Sequence, residues 1–176
     1  MRDSLKNLSE SDYWVYGIRK EEFDHALQLV RDLIQARVEQ YQKEAGKVRE
    51  EHPDTADDIL DDVAYYNYTD NQYLWHFALW RLQGLLEAVI VHQLVENIER
   101  KLFGLKTKIE ALEKNGFTIS SSEKEELMLW ANLRNAFSHA PPEQYRPTGL
   151  NEDDIVEYQS LAKNLYQRWM KEKENK

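Results

Sequence analysis

The sequence predicts an all-α protein, an up-and-down bundle of about five helices. Apolar residues recur at 3.6-residue spacing through most of the chain, strand-type alternation is nearly absent, and helix-starting and helix-stopping residues interrupt the pattern at bundle-like intervals.

From Glu21 to about Arg49, the apolar positions Phe23, Ala26, Leu27, Val30, Leu33, Ile34, Val38 and Tyr41 form one stripe opposite a charged face, which predicts a long amphipathic helix. Pro53 ends it, and Thr55 with Asp58 is expected to open the next segment as a capping box. A short helix over 56–66 should meet a turn at Asn67 to Asn71. A second long helix is then expected from Gln72 to Leu102, apolar on most faces between Trp75 and Val95. Leu105 to Glu113 reads as a further helix closed by Asn115-Gly116. A Ser-x-x-Glu box at Ser120 to Ser122 opens a helix that runs to about Ser138 and stops at Pro141-Pro142. Asn151 or Asp153 should cap a last helix ending near Glu172.

One domain spanning 1–176 is expected, with 1–19 as an N-terminal extension and 171–176 as a frayed charged tail, because no linker separates two apolar blocks. Cysteine is absent, which removes disulfides and thiolate chemistry and fits a reducing, cytoplasmic setting. Met1 to Lys20 has no uninterrupted apolar core, so a signal peptide is not expected. The Leu85 to Val95 block is broken by Glu87, His92 and Gln93 and is too short to span a bilayer. Because the net charge is −9, any nucleic-acid site must be a local basic pocket rather than a general field.

The most informative segment is Leu133-Arg134-Asn135-Ala136-Phe137-Ser138-His139. Arg-to-His spacing alone is weak, since ten arginines and five histidines yield about one such match by chance, and Arg19 with His25 is a second instance. Context separates them: Arg134 is followed by Asn135 and stands near the end of a capped amphipathic helix before a proline pair, whereas Arg19 is followed by Lys20. In that setting the segment resembles the Arg-x(4–6)-His motif of the HEPN superfamily. The likeness extends loosely over Gln72 to His139 and includes Glu87 in the preceding apolar helix. It implies a small helical bundle acting on RNA as a homodimeric endoribonuclease without metal or other cofactor. Catalytic roles then fall to Arg134, Asn135 and His139, with Glu87 and Ser138 in support. Ala140-Pro141 departs from the His-x-Tyr continuation of members paired with nucleotidyltransferase-like antitoxins, so that subfamily is not assigned. A protein antitoxin or other regulatory partner stays open.

The residue types suit that chemistry. Histidine titrates near neutrality and can move the 2′-hydroxyl or leaving-group proton, while arginine offers phosphate a planar fork of donors. Asn135 and His139 share a helix face, so the amide could orient the imidazole. Arg134 lies roughly 140° round the helix from His139, so convergence requires fraying at Ser138 or a second copy across a two-fold axis.

Blander readings stand beside these. Arg134 and His139 could simply complement the helix dipole. Glu87 is either a buried partner of a cation such as Arg134 or Arg81, or edge-exposed. His92 reads as a hydrogen-bonded core or interface histidine, and Tyr65, Tyr66, Tyr68, Tyr73 and Trp75 as core or interface residues before base-stackers. Arg100 to Lys108 is the best basic patch, though a solvated face explains it. Asp57, Asp58, Asp61 and Asp62 could hold Mg²⁺ in a nucleotide hydrolase, but acidic residues also favour a helix N-terminus. A non-catalytic scaffold that binds a protein through the Trp75 to Val95 face is the second function class.

Overall fold

The computed structural model describes residues 18–96, 102–139 and 149–176. They form five α-helices, with no strand among the described residues. These are α1 (Glu21–Glu51), α2 (Ala56–Val89), α3 (Gly104–Lys114), α4 (Ser121–His139) and α5 (Glu152–Glu174). The fold class is the all-α bundle that the periodicity predicts. The N-terminal extension up to residue 17, the Pro141-Pro142 stop, and Arg100 and Lys101 of the basic patch lie outside the described residues. No helix of the described residues is long and apolar enough to cross a membrane.

α1 and α2 form a long antiparallel hairpin. A four-residue link joins them, and Arg37 pairs with Asp70, each about equally far along the chain from that link. Phe23, Ala26, Leu27, Val30 and Ala45 turn from α1 into the interior. Thr55 is the α2 N-cap residue, but its side chain makes no capping hydrogen bond, contrary to the expected box. The turn expected at Asn67 to Asn71 is also absent, and α2 runs unbroken for 34 residues. Asn67 to Asn71 includes no Gly or Pro, and the small helix penalty of Asn, Asp and Thr is outweighed by packing on α1. Thr69 Oγ donates to the Tyr65 carbonyl at 2.9 Å, satisfying its hydroxyl within the helix.

The far end of α2 stops short of Leu102. It widens into a π-helical turn over Ile90–Leu94, and Val95 leaves in an extended conformation. The freed Gln93 carbonyl accepts from Lys173 Nζ at 2.6 Å, and Glu96 N–H donates to Asn115 Oδ1 at 3.2 Å.

Two local devices orient α4. α3 ends in a Schellman turn in which Gly116, at φ +76°, donates to the Glu113 carbonyl and Phe117 donates to Leu112. Ser120 and Glu123 then exchange side-chain and backbone hydrogen bonds, forming the predicted capping box. The link between them is fastened to α5: the Thr118 carbonyl accepts from Trp169 Nε1 at 2.7 Å, and Arg168 grips Glu123 with two bonds of 2.8 Å. At its other end, α5 opens with an Asn151/Asp154 capping box. Just before it, Gly149 runs so close to α2 that a Cβ would lie 2.5 Å from Tyr68 Oη.

The core sits where α1, α2 and α5 meet, around Phe23, Leu79, Leu82, Leu86, Ile90, Ile155, Tyr158, Leu165 and Trp169. Each such side chain contributes about 1.5–3 kcal/mol by leaving water. The tail expected to fray is helical to Glu174, and Lys176 Nζ lies 3.4 Å above the Phe117 ring. The apolar block Leu85 to Val95 is largely consumed internally, since Leu85, Leu86, Val89, Ile90 and Leu94 are all buried. The exposed apolar surface of α2 lies instead on its opposite side, at Tyr66, Tyr73, Phe77 and Trp80, each 45–68 % exposed.

Candidate functional site

α4 crosses α2 near its last two turns, and there the structure gathers most of the candidate residues. Arg134, Asn135 and Ser138 from α4, with Trp80 from α2, line an open pocket of about 330 Å³. Arg134 Nη1 donates to Glu87 Oε1 at 3.2 Å, and Nη2 donates to Asn135 Oδ1 at 3.1 Å. Glu87 is therefore a partner of Arg134, as one of its two readings held, while Arg81 is exposed. Its other carboxylate oxygen is held by Lys108 from α3. The carboxylate is only 14 % exposed, so two cations with directed donors offset the cost of removing it from water. Tyr158 lies close behind this group. Burial pushes its hydroxyl pKa well up, the Glu87 charge adds to that, and the Arg134 charge opposes it.

The geometry modifies the expected division of labour. Adjacent helix positions do not normally face each other, yet the long Arg134 side chain folds back onto the Asn135 oxygen. Asn135 thus orients the guanidinium, and the expected Asn135 to His139 bond falls on a side chain outside the described residues. Ser138 Oγ donates to the Arg134 carbonyl at 2.9 Å, and α4 remains helical through His139. Fraying at Ser138, one of the two routes to convergence, does not occur in the backbone. His139 closes α4, and its side chain lies outside the described residues.

Two contributors escaped the sequence reading. Lys108 belonged to a patch expected to be a solvated face, but it is part-buried against Glu87. His76, one turn before Trp80, stacks on Phe137 with centroids 3.8 Å apart and planes at 28°. Burial lowers its pKa from 6.5. Nothing local marks either residue, since both contacts join separate helices.

The remaining candidates lie elsewhere. Arg19 and His25 are exposed at the start of α1. His92 is exposed on the π turn rather than in a core, and no hydrogen bond of its side chain is present among the described residues. Tyr65, Tyr66, Tyr68 and Tyr73 are more than half exposed rather than packed in a core, while Trp75 is buried. Asp57, Asp58, Asp61 and Asp62 are exposed on the first turns of α2, and the helix rise puts Asp62 about 27 Å from Trp80 along the axis. Among the described residues, no three or more His, Cys, Asp or Glu side chains are grouped so as to hold a metal ion.

Comparison with known proteins finds no matching family model, no matching curated protein and no matching solved structure.

Proposed function

We propose that the chain is a metal-independent endoribonuclease of HEPN type, a cytoplasmic toxin or defence effector that cleaves RNA in a homodimer cleft. The observation that carries this reading is the Arg134 guanidinium at the mouth of an open pocket, held by Glu87 and Asn135, on the helix that ends with His139. Arg134 clamps the scissile phosphate, and Asn135 and Glu87 fix the clamp's orientation. His139 moves the proton of the attacking 2′-hydroxyl or the leaving 5′-oxygen. Positions 134 and 139 of one continuous helix are about 140° apart round its axis, so the cleft draws the two residues from two copies related by a two-fold axis. The products are a 2′,3′-cyclic phosphate and a 5′-hydroxyl.

A second reading is a non-catalytic HEPN-like scaffold, favoured by the exposed aromatic stripe of α2, which has the character of a protein-binding face. One experiment separates the two. Purified protein is incubated with total RNA in EDTA beside a His139→Ala protein whose helical circular dichroism is intact. Cleavage by the first and not the second supports the ribonuclease. Cleavage by neither supports the scaffold. Activity that needs Mg²⁺ and survives His139→Ala moves the site to Asp57, Asp58, Asp61 and Asp62.

A further inference from the structure

Glu87 sits between two cations from different helices, Lys108 of α3 and Arg134 of α4, while itself projecting from α2. The side-chain exposures are 15 % for Lys108, 14 % for Glu87 and 27 % for Arg134, so the group is largely withdrawn from water and Arg134 is its most accessible member. Only Arg134 of the three lines the pocket. Charge bookkeeping then matters. Arg134 with Glu87 alone is a neutral pair, which offers a phosphate little attraction. Adding Lys108 makes the group a net cation, and screening is weak at this depth.

We infer that Lys108 is a positioning residue for the Arg134 pocket: by engaging Glu87 it leaves the Arg134 guanidinium with uncancelled positive charge for an RNA phosphate. This rests on the phosphodiester reading of that pocket. Glu87 occupies one donor on Nη1 and Asn135 one on Nη2, so guanidinium donors remain to meet a phosphate. Lys108 reaches Glu87 because Leu105, Ile109 and Leu112 seat α3 in the core and thereby turn its neighbour inward. The role belongs to the tertiary structure, since Lys108 and Glu87 are 21 residues apart.

The test measures binding of a single-stranded RNA with 2′-O-methyl riboses, which cannot be cleaved by 2′-hydroxyl attack, together with KM and kcat on the unmodified RNA. Lys108→Met should weaken binding and raise KM by roughly ten-fold while kcat stays within a few-fold, because the reacting groups are untouched. Its binding should also depend less on salt, because the group behind the pocket then carries no net positive charge. Lys108→Arg should keep wild-type affinity. The decisive protein is Glu87→Gln with Lys108→Met, which removes both charges and should restore binding to within a few-fold of wild type. It also carries the test if Lys108→Met alone fails to fold. A double variant as weak as the single, or a Lys108→Met protein that binds like wild type, overturns the inference while leaving the ribonuclease reading in place. Wild-type protein that neither binds nor cleaves RNA overturns that reading, and this inference with it.

Discussion

His76 and Phe137 stack with ring centroids 3.8 Å apart, pinning the last turn of α4 to the middle of α2. Burial holds the His76 pKa below its ordinary 6.5, so the folded protein binds this proton more weakly than the unfolded chain does. Its contribution to stability is complete above pH 6.5 and declines as pH falls through the lowered folded value. Melting curves at pH 7.5 and pH 5 should show a loss on acidification that is smaller in His76→Phe, which keeps the stack without the titrating nitrogen. An equal loss in both proteins would detach the effect from His76.

Arg134→Lys retains the charge but not the planar fork that reaches Glu87 and Asn135 together. RNA cleavage should fall on the order of 10²-fold, the scale for removing a transition-state donor, with little change in melting temperature. His25→Ala should leave the rate within a few-fold of wild type, since His25 is exposed on α1 and does not line the pocket. If His25→Ala abolished cleavage and His139→Ala did not, the site would be wrongly assigned.

The aromatic stripe is the surface on which the proposed dimer is tested. Tyr73 and Phe77, 66 % and 53 % exposed, point away from the core on the same helix face as Trp80. Tyr73→Ser with Phe77→Ser should convert a two-fold dimer to monomers in sedimentation at micromolar concentration. A wild-type chain that sediments only as a monomer removes the composite cleft.

Glu123 links the α4 capping box to Arg168 of α5. The Arg168 hydrogen bonds hold its pKa down from 4.5 to about 2, with the Ser120 bonds adding to the effect and burial opposing it. The stability this confers is present above about pH 4.5 and is lost as pH falls toward about 2. Glu123→Gln should be less stable than wild type at neutral pH, and the difference should shrink across that window in urea titrations.

Gln83 is 1 % exposed, and neither its amide nitrogen nor its amide oxygen has a hydrogen-bond partner among the described residues. A buried unpaired amide is costly, so Gln83→Met, which nearly conserves shape, should raise unfolding free energy by about 1–2 kcal/mol. A lower denaturant midpoint would show instead that the amide is satisfied in solution.

Much of the scaffold was legible because its signals are local. The stripe of Phe23, Ala26, Leu27 and Val30 needs only the helical repeat to be read. So do the Ser120/Glu123 box and the stop at Asn115-Gly116, each completed within a few residues. Local signals failed where packing overrode them. The polar Asn67 to Asn71 stretch is helical because α1 lies along it, and the helix predicted to reach Leu102 opens into a π turn at Ile90.

Arg134, Asn135, Ser138 and His139 could be chosen from spacing and helix context, because all four lie within about one and a half turns of α4. Their surroundings could not. The Lys108–Glu87–Arg134 group is assembled from three helices, and His76 meets Phe137 across sixty intervening residues of chain. Nor could composition tell which apolar face of α2 would stay outside, since Leu82 and Leu86, which are buried, and Phe77 and Trp80, which are exposed, are all apolar or aromatic residue types. Helical periodicity reports that a face is apolar, and it is a property of neighbouring residues alone. Which face is buried, and which charges meet, depends on how the helices dock, and only the tertiary structure of the bundle decides that.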